Sequence, residues 1–176
     1  KSNKKILNIL YKSVKNSYYG DKRVGVFLSG GIDSFSILSI LNKLFPKKKI
    51  HTFTANFQHL EKKLIVGEGK FASKYAKKFK SIHHNIVINE NDLKKYIKNS
   101  PLPCPTLIDA TIKKLSKECK KYGIEVILSG EGADEMFFGY DHFLAVLGYL
   151  NPEYGFLNKK YSLRGKYILK KINNPN

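Results

Sequence analysis

Cysteine is scarce in this sequence. Only Cys104 and Cys119 occur among 176 residues, too few and too far apart for a disulfide framework or a C-x-x-C metal pair. A reducing compartment, the cytoplasm, is therefore the expected home. Long apolar runs are also lacking: no stretch approaches the roughly 20 residues needed to cross a bilayer, and the lysine-rich start has no apolar core of the signal-peptide kind. No membrane partner is expected. Acidic residues number 14 against 32 basic ones, a net charge of +18. Such an excess suits nucleic acid, an anionic membrane or acidic substrates. Arginine, however, is confined to Arg23 and Arg164. Its guanidinium fork is the favoured contact for phosphates and base edges, so its scarcity favours a generally lysine-rich surface over a nucleic-acid reader.

The length suits one domain with a real core. Within it, Val24 to Ser34 reads V-G-V-F-L-S-G-G-I-D-S, a short apolar strand that stops at Ser29-Gly30-Gly31 before a helical pattern begins near Asp33. Paired glycines let the backbone turn tightly, so that amide N–H groups converge on an anion at the positive end of the helix. Ser29 and Ser34 add hydroxyls. Asp33 would repel a bare phosphate, and a Mg²⁺ held by its carboxylate removes the conflict. The loop is neither G-x-x-x-x-G-K-[ST] nor G-x-G-x-x-G. It resembles instead the S-G-G-x-D-S loop of the N-type ATP pyrophosphatases, which split ATP between the α and β phosphates.

Apolar spacing predicts a helix over residues 4–18, and a second after the glycine loop that ends at Pro46 and its lysines. Residues 50–57 read as a strand and 58–67 as a surface loop. Then comes a helix with Phe71, Ala72, Tyr75, Ala76 and Phe79 on one face. Residues 81–88 are a third strand, Asn89 to Asp92 cap a short helix to Ile97, and the Pro101–Pro105 stretch is a stiff loop. Residues 107–122 form a helix that Gly123 terminates, and 125–128 a fourth strand ending at Ser129-Gly130. Strands alternating with helices imply an α/β fold, a parallel sheet covered on both faces, with ligands at the carboxyl ends of the strands.

After the fourth strand the chain reads S-G-E-G-A-D-E-M-F-F-G-Y, residues 129–140. Acids this crowded suit a cation. Parallel topology brings strand ends together, so Asp134 is the expected second carboxylate for the Mg²⁺ at Asp33.

Together, L-S-G-G-I-D-S and L-S-G-E-G-A-D-E resemble the synthetase domain of the asparagine synthetase family, from about Lys4 to Tyr140. F-T-A-N-F at 53–57, Glu68 opening a helix, and His83-His84 are weaker echoes. The resemblance implies an adenine nucleotide alpha hydrolase-like fold, that of the PP-loop pyrophosphatases, and a reaction: ATP adenylates a carboxylate, pyrophosphate leaves, and an amine attacks to form an amide. It further implies that Leu28 and Ala55 meet the adenosine through backbone groups, that Ser129-Gly130 approach the α-phosphate or ribose, and that Glu131 serves the acyl-transfer chemistry. Glu135 reads as a supporting or capping residue, and both histidines as structural. The chain has Pro101-Leu102-Pro103 where relatives often have D-E-P, and Phe138 in place of the first glycine of F-G-G-Y. The carboxylate substrate, small molecule or peptide, is therefore open, as is the amine donor. Residues 1–150 read as the synthetase domain and 151–176 as an extension, the start of the family's C-terminal helices. A glutaminase and those helices are expected from another chain or from the rest of a longer protein; otherwise activity is reduced. Rival readings are a tRNA-modifying ligase of the same superfamily and a non-catalytic nucleotide-binding module.

Overall fold

Alternating apolar residues put two cores on one sheet. A computed structural model of the chain describes residues 2–18, 21–57, 68–103, 106–137 and 139–140. Four strands, β1 (Val24–Phe27), β2 (His51–Phe57), β3 (Ile82–Ile88) and β4 (Val126–Leu128), pair in parallel in the order β3-β2-β1-β4. Strand side chains point alternately to opposite faces. Val24, Val26 and Leu28 are thus buried on one face against Val14 of α1 (Ser2–Ser17), Leu38 and Leu41 of α2 (Ile32–Leu44), and Ala72 and Ala76 of α3 (Glu68–Lys78). Phe27, Phe53, Ala55, Ile86 and Ile127 pack on the other with Leu115 and Cys119 of α5 (Leu107–Lys121). Phe53 is fully buried, which contributes about 1.5–3 kcal/mol relative to an exposed ring. Both faces are covered, as the alternation of strands and helices predicts.

The connection from β3 to β4 carries α4 (Glu90–Lys98) and α5. Asn89 and Asp92 form a reciprocal capping box at the start of α4, and Thr106 and Asp109 repeat it at α5, each satisfying helix-end amides that water would otherwise hold. Gly123, at φ +65°, stops α5 with a left-handed turn that side chains resist. From β1 the chain winds outward to β2 and β3, then returns to place β4 on the other side of β1. That reversal opens a crevice at the carboxyl ends of β1 and β4, where open α/β sheets take their ligands.

One side chain departs from expectation. Phe71 is 54 % exposed, because a helix turns about 100° per residue and Phe71 falls outside the arc that points Ala72, Tyr75, Ala76 and Phe79 inward. The expected loop at 58–67, Cys104 and Pro105, Phe138, and residues 141–176 lie outside the described residues. By contacts the chain divides into two units, Lys1–Gly130 and Glu131–Asn176. Among the described residues no helix is long and apolar enough to cross a membrane.

Candidate nucleotide site

Leu28 to Ser34 connects β1 to α2, and its internal hydrogen bonds explain the order of its residues. Ser34, buried in the first turn of α2, accepts from the Ser29 amide (3.2 Å) and donates to the Gly31 carbonyl (3.3 Å). The Ser29 hydroxyl accepts from the Gly31 amide at 3.2 Å and lies 3.2 Å from Ser34 Oγ. The two serines thus brace the loop from within. Gly30 sits at φ +93°, a conformation that side chains rarely tolerate. Gly31 is the N-cap of α2, yet no side chain caps the helix there. First-turn amides left without a side-chain cap at the positive end of a helix are a ready anion site. Asp33, half-exposed in that same turn, adds a hard oxygen donor of the kind Mg²⁺ takes.

Two neighbouring strands shape the loop. Thr54, buried in β2, donates its hydroxyl to the Leu28 carbonyl at 2.5 Å, while the Leu28 amide donates to the Phe53 carbonyl at 2.9 Å. One carbonyl lone pair is therefore what remains of Leu28's backbone for a ligand. Since Phe53's carbonyl faces β1, the alternation of the strand turns Ala55's main-chain groups to the same side. There they lie past Phe27, the last residue of β1 paired with β2. On the other flank Gly130, two residues past the end of β4, lies so close that a Cβ would stand 2.9 Å from Asp33 Cβ and 3.1 Å from the Ser34 amide nitrogen. Ser129 beside it is exposed. Leu28, Ser29, Gly30, Gly31, Asp33, Ser34, Ala55, Ser129 and Gly130 all belong to the first unit, at the carboxyl end of its sheet.

Glu131 and Asp134 belong to the second unit. Glu131 is exposed, and Asp134 opens the short helix α6 (Ala133–Phe137). The Gly139 amide donates to the Asp134 carbonyl at 3.0 Å, and a Cβ at 139 would collide with Asp134 Oδ1. The glycine of F-F-G-Y is thus what leaves room for this carboxylate. Tyr140 donates to Glu135 Oε1 at 2.6 Å, which holds the Glu135 carboxyl below its ordinary range and pushes the Tyr140 phenol up to about 12. Glu135 accepts this bond from an exposed position. Among the described residues no group of three or more His, Cys, Asp or Glu side chains is gathered to hold a metal.

The histidines are embedded in the sheet's other half. His83 lies between Thr52 Oγ1 (3.0 Å) and Ser73 Oγ (3.3 Å), and His84 Nε2 is hydrogen-bonded to His51 Nδ1 at 2.9 Å. Desolvation is the main cause that lowers the pKa of all three below 6.5.

A family model described as asparagine synthase matches residues 5–173, nearly the whole chain. The chain belongs to the asparagine synthase family. Among curated asparagine synthases and synthetases, it is 35% identical over 140 residues to a glutamine-hydrolyzing asparagine synthetase of Bacillus subtilis, covering 78% of this chain and 21% of that protein. It is 31% identical over 147 residues to asparagine synthetase B of Escherichia coli, covering 76% of this chain and 26% of that one. The chain thus spans about a quarter or less of the length of these relatives. Among solved structures, an NH3-dependent NAD synthetase from Campylobacter jejuni superposes with a TM-score of 0.51 at 18% identity, covering 90% of this chain and 76% of that one. The U34-tRNA thiolase NcsA from Methanococcus maripaludis gives 0.53 at 17%, covering 85% and 50%. At such identities the likeness concerns the fold, which is that of the PP-loop, adenine nucleotide alpha hydrolase-like proteins.

Sequence reasoning missed the contacts of Thr54 and Gly139. Thr54 stands inside the F-T-A-N-F segment, yet its partner Leu28 is 26 residues away and becomes visible only once strand register is known. Gly139 was legible as a family feature, though its steric relation to Asp134 was not.

Proposed function

We propose that this chain is the nucleotide-binding synthetase domain of an ATP-dependent, AMP- and pyrophosphate-forming amide synthetase that works in the cytoplasm. The observation that carries the reading is the uncapped N-terminus of α2, framed by Gly30, Gly31 and Gly130 at the carboxyl ends of β1 and β4. Oriented amides there stabilise the charge that builds on departing pyrophosphate, and preorganised donors of this kind need no rearrangement as the charge develops. Adenosine meets the second lone pair of the Leu28 carbonyl and the main-chain groups of Ala55. Ser129 and Gly130 flank the α-phosphate or ribose.

The carboxylate substrate attacks the α-phosphorus, the α–β bridging bond breaks, and pyrophosphate leaves with the bond's electrons. An amine then attacks the acyl carbon, forming the amide and expelling AMP. Asp33 and Asp134 would hold a Mg²⁺, whose chemistry is to neutralise phosphate charge during the first step. Glu131 faces the reacting carboxyl and amine. The amine is free, or is delivered by a glutaminase partner or a further part of a longer protein; the carboxylate is a small molecule or a peptide. In a nucleotide-binding module without catalysis, Mg²⁺-ATP would bind but no carboxylate would release pyrophosphate. A tRNA-modifying ligase would bind RNA tightly with steep salt dependence.

The roles of the acids separate in experiment. Asp33→Asn and Asp134→Asn should each weaken Mg²⁺-ATP binding in calorimetry without lowering the melting temperature. Glu131→Gln should bind ATP nearly as the parent does, while carboxylate-dependent pyrophosphate release falls about 10²–10³-fold, the usual cost of one preorganised electrostatic group. Unchanged Mg²⁺-ATP affinity in both aspartate variants would defeat the shared-metal reading. Loss of ATP binding in a folded Glu131→Gln variant would move Glu131 to the nucleotide.

A further inference from the structure

Helices α4 and α5 enclose a concave cleft of about 470 Å³, within the size range of small-ligand pockets. Its lining is cationic. Lys95 comes from α4 and Lys113, Lys114, Lys117 and Lys121 from α5, against two carboxylates, Asp92 and Glu118. Both carboxylates are already engaged. Asp92 Oδ1 pairs with Lys114 at 2.9 Å and its Oδ2 accepts from the Asn89 amide at 3.3 Å, the Lys114 contact holding its carboxyl below the ordinary range. Glu118 pairs with Lys121 at 2.7 Å. Lys95, Lys113 and Lys117 remain without a carboxylate at ion-pairing distance among the described residues. Lys113 instead stands over the Tyr96 ring, 5.5 Å from its centroid.

Three ammonium groups without a close carboxylate, Lys95 acting on Asp92 only at longer range, line one hollow, and a multivalent anion supplies the close partners they lack. Ala110, buried among the lining residues, is small enough to leave the hollow open. Lysines are compact point charges that suit phosphate oxygens without demanding a fixed fork.

We propose that this cleft binds an oligophosphate of about triphosphate length, free or as the tail of a nucleotide. Several charges concentrated on a short anion match three lysines converging on one hollow. A phosphodiester chain carries one charge per residue and needs an extended cationic track, and Asp92 and Glu118 on the walls interrupt any such track. The site shares no residue with the loop between β1 and α2, so it stands or falls independently of the proposed reaction.

The test titrates sodium tripolyphosphate into the full chain in EDTA by calorimetry, with ADP, ATP and a single-stranded RNA in parallel. Tripolyphosphate is expected to bind this cleft beside any binding at the amides of α2, and the cleft's share of the isotherm should weaken at least severalfold between 50 and 300 mM salt, because exposed charges are screened beyond about a Debye length. Lys113→Gln/Lys117→Gln should lower the affinity by roughly tenfold or more, whereas Lys113→Arg/Lys117→Arg should retain it; both side chains are exposed, so melting temperatures should stay at the parent's. ADP and ATP binding with the same sensitivity would identify a nucleotide tail as an accepted source of the phosphates; tripolyphosphate binding alone would point to the free anion. No tripolyphosphate binding, an isotherm that the glutamine pair leaves unchanged, or tighter binding of RNA per phosphate overturns the proposal.

Discussion

At the amino end of the sheet the chain fills its space with rings. His51, Phe53 and His84 stack on one another, the Phe53 and His84 centroids 4.6 Å apart, and Tyr122 leans against them at a tilt, its centroid 3.9 Å from that of His84. Glu125 and Tyr122 accept hydrogen bonds from the Arg23 amide and guanidinium, closing that end. At the carboxyl end the chain does the reverse. Gly30, Gly31 and Gly130 withhold side chains and α2 starts without a side-chain cap, although a capping residue there would add stability. The contrast teaches where the fold sets aside stability for a ligand. The helix start that α4 and α5 seal with capping boxes is left open in α2, where strands β1 and β4 deliver it to the crevice.

Two glycines sharpen that contrast, because the same methyl group should act on different properties at the two ends. At Gly130 a Cβ meets Asp33 Cβ at 2.9 Å and backbone at 3.1 and 3.3 Å, so α2's first turn must move. Overpacking of this kind costs about 1–3 kcal/mol; borne by the binding site, that is roughly a 5- to 150-fold loss of affinity. Gly130→Ala should therefore weaken Mg²⁺-ATP binding by about that factor. At Gly25, in β1, the Cβ meets Ile127 Cδ1 at 2.6 Å, Phe53 Cε2 at 3.1 Å and Ile124 Cγ2 at 3.2 Å. These are core side chains away from the loop. Gly25→Ala should lower the unfolding free energy by about 1–3 kcal/mol and leave ATP affinity within about twofold. Equal ATP affinities in the two variants would erase the distinction.

A smaller effect is expected at Thr54, whose hydroxyl ties β2 to the last residue before the glycine loop. Thr54→Val keeps the shape but takes the donor from a buried carbonyl, costing about 1–3 kcal/mol. Chemical denaturation should show the lower stability. If Leu28's carbonyl is set by this bond, ATP affinity should fall with it, while the affinity for pyrophosphate alone stays put. A loss shared equally by both ligands would mean that Thr54 supports the loop as a whole.

Much of this was legible in residue order, for local reasons. The alternation of Val24, Val26 and Leu28 fixes a buried strand face, Asn89 with Asp92 announces a helix start, and Gly123 a helix end. The glycine loop and the second motif stand out because their residue types fit poorly anywhere else. Long-range relations were not legible. Thr54 with Leu28, Gly130 with Asp33, and His51 with His84 each depend on register between separated strands. The α4–α5 cleft likewise depends on which lysines find carboxylates. Composition reported an excess of lysine without saying that three of them converge.

The smallest expected effect tests the closed end through pH. His51, His83 and His84 all have pKa values lowered by desolvation first, with repulsion from His84 adding to His51 and His83, and from Arg23 to His51. A histidine whose pKa is lowered by folding binds its proton more readily in the unfolded chain. Stability from these residues is thus complete above about pH 6.5 and is lost as pH falls from there through the lowered values. Glu90, Asp92, Asp109 and Glu135 do not cloud this window, since their carboxyls are held below ordinary values of 3.8 to 4.5. Urea midpoints should therefore be lower at pH 5.5 than at pH 7.5. His84→Phe can still stack between Phe53 and Tyr122, removes one titrating group and relieves two others of its charge. Its drop between the two pH values should be smaller than the parent's. His59 and His142, outside the described residues, are common to both proteins. An identical drop in parent and variant would mean that the ring stack carries no proton linkage and that its histidines serve only as aromatic filling.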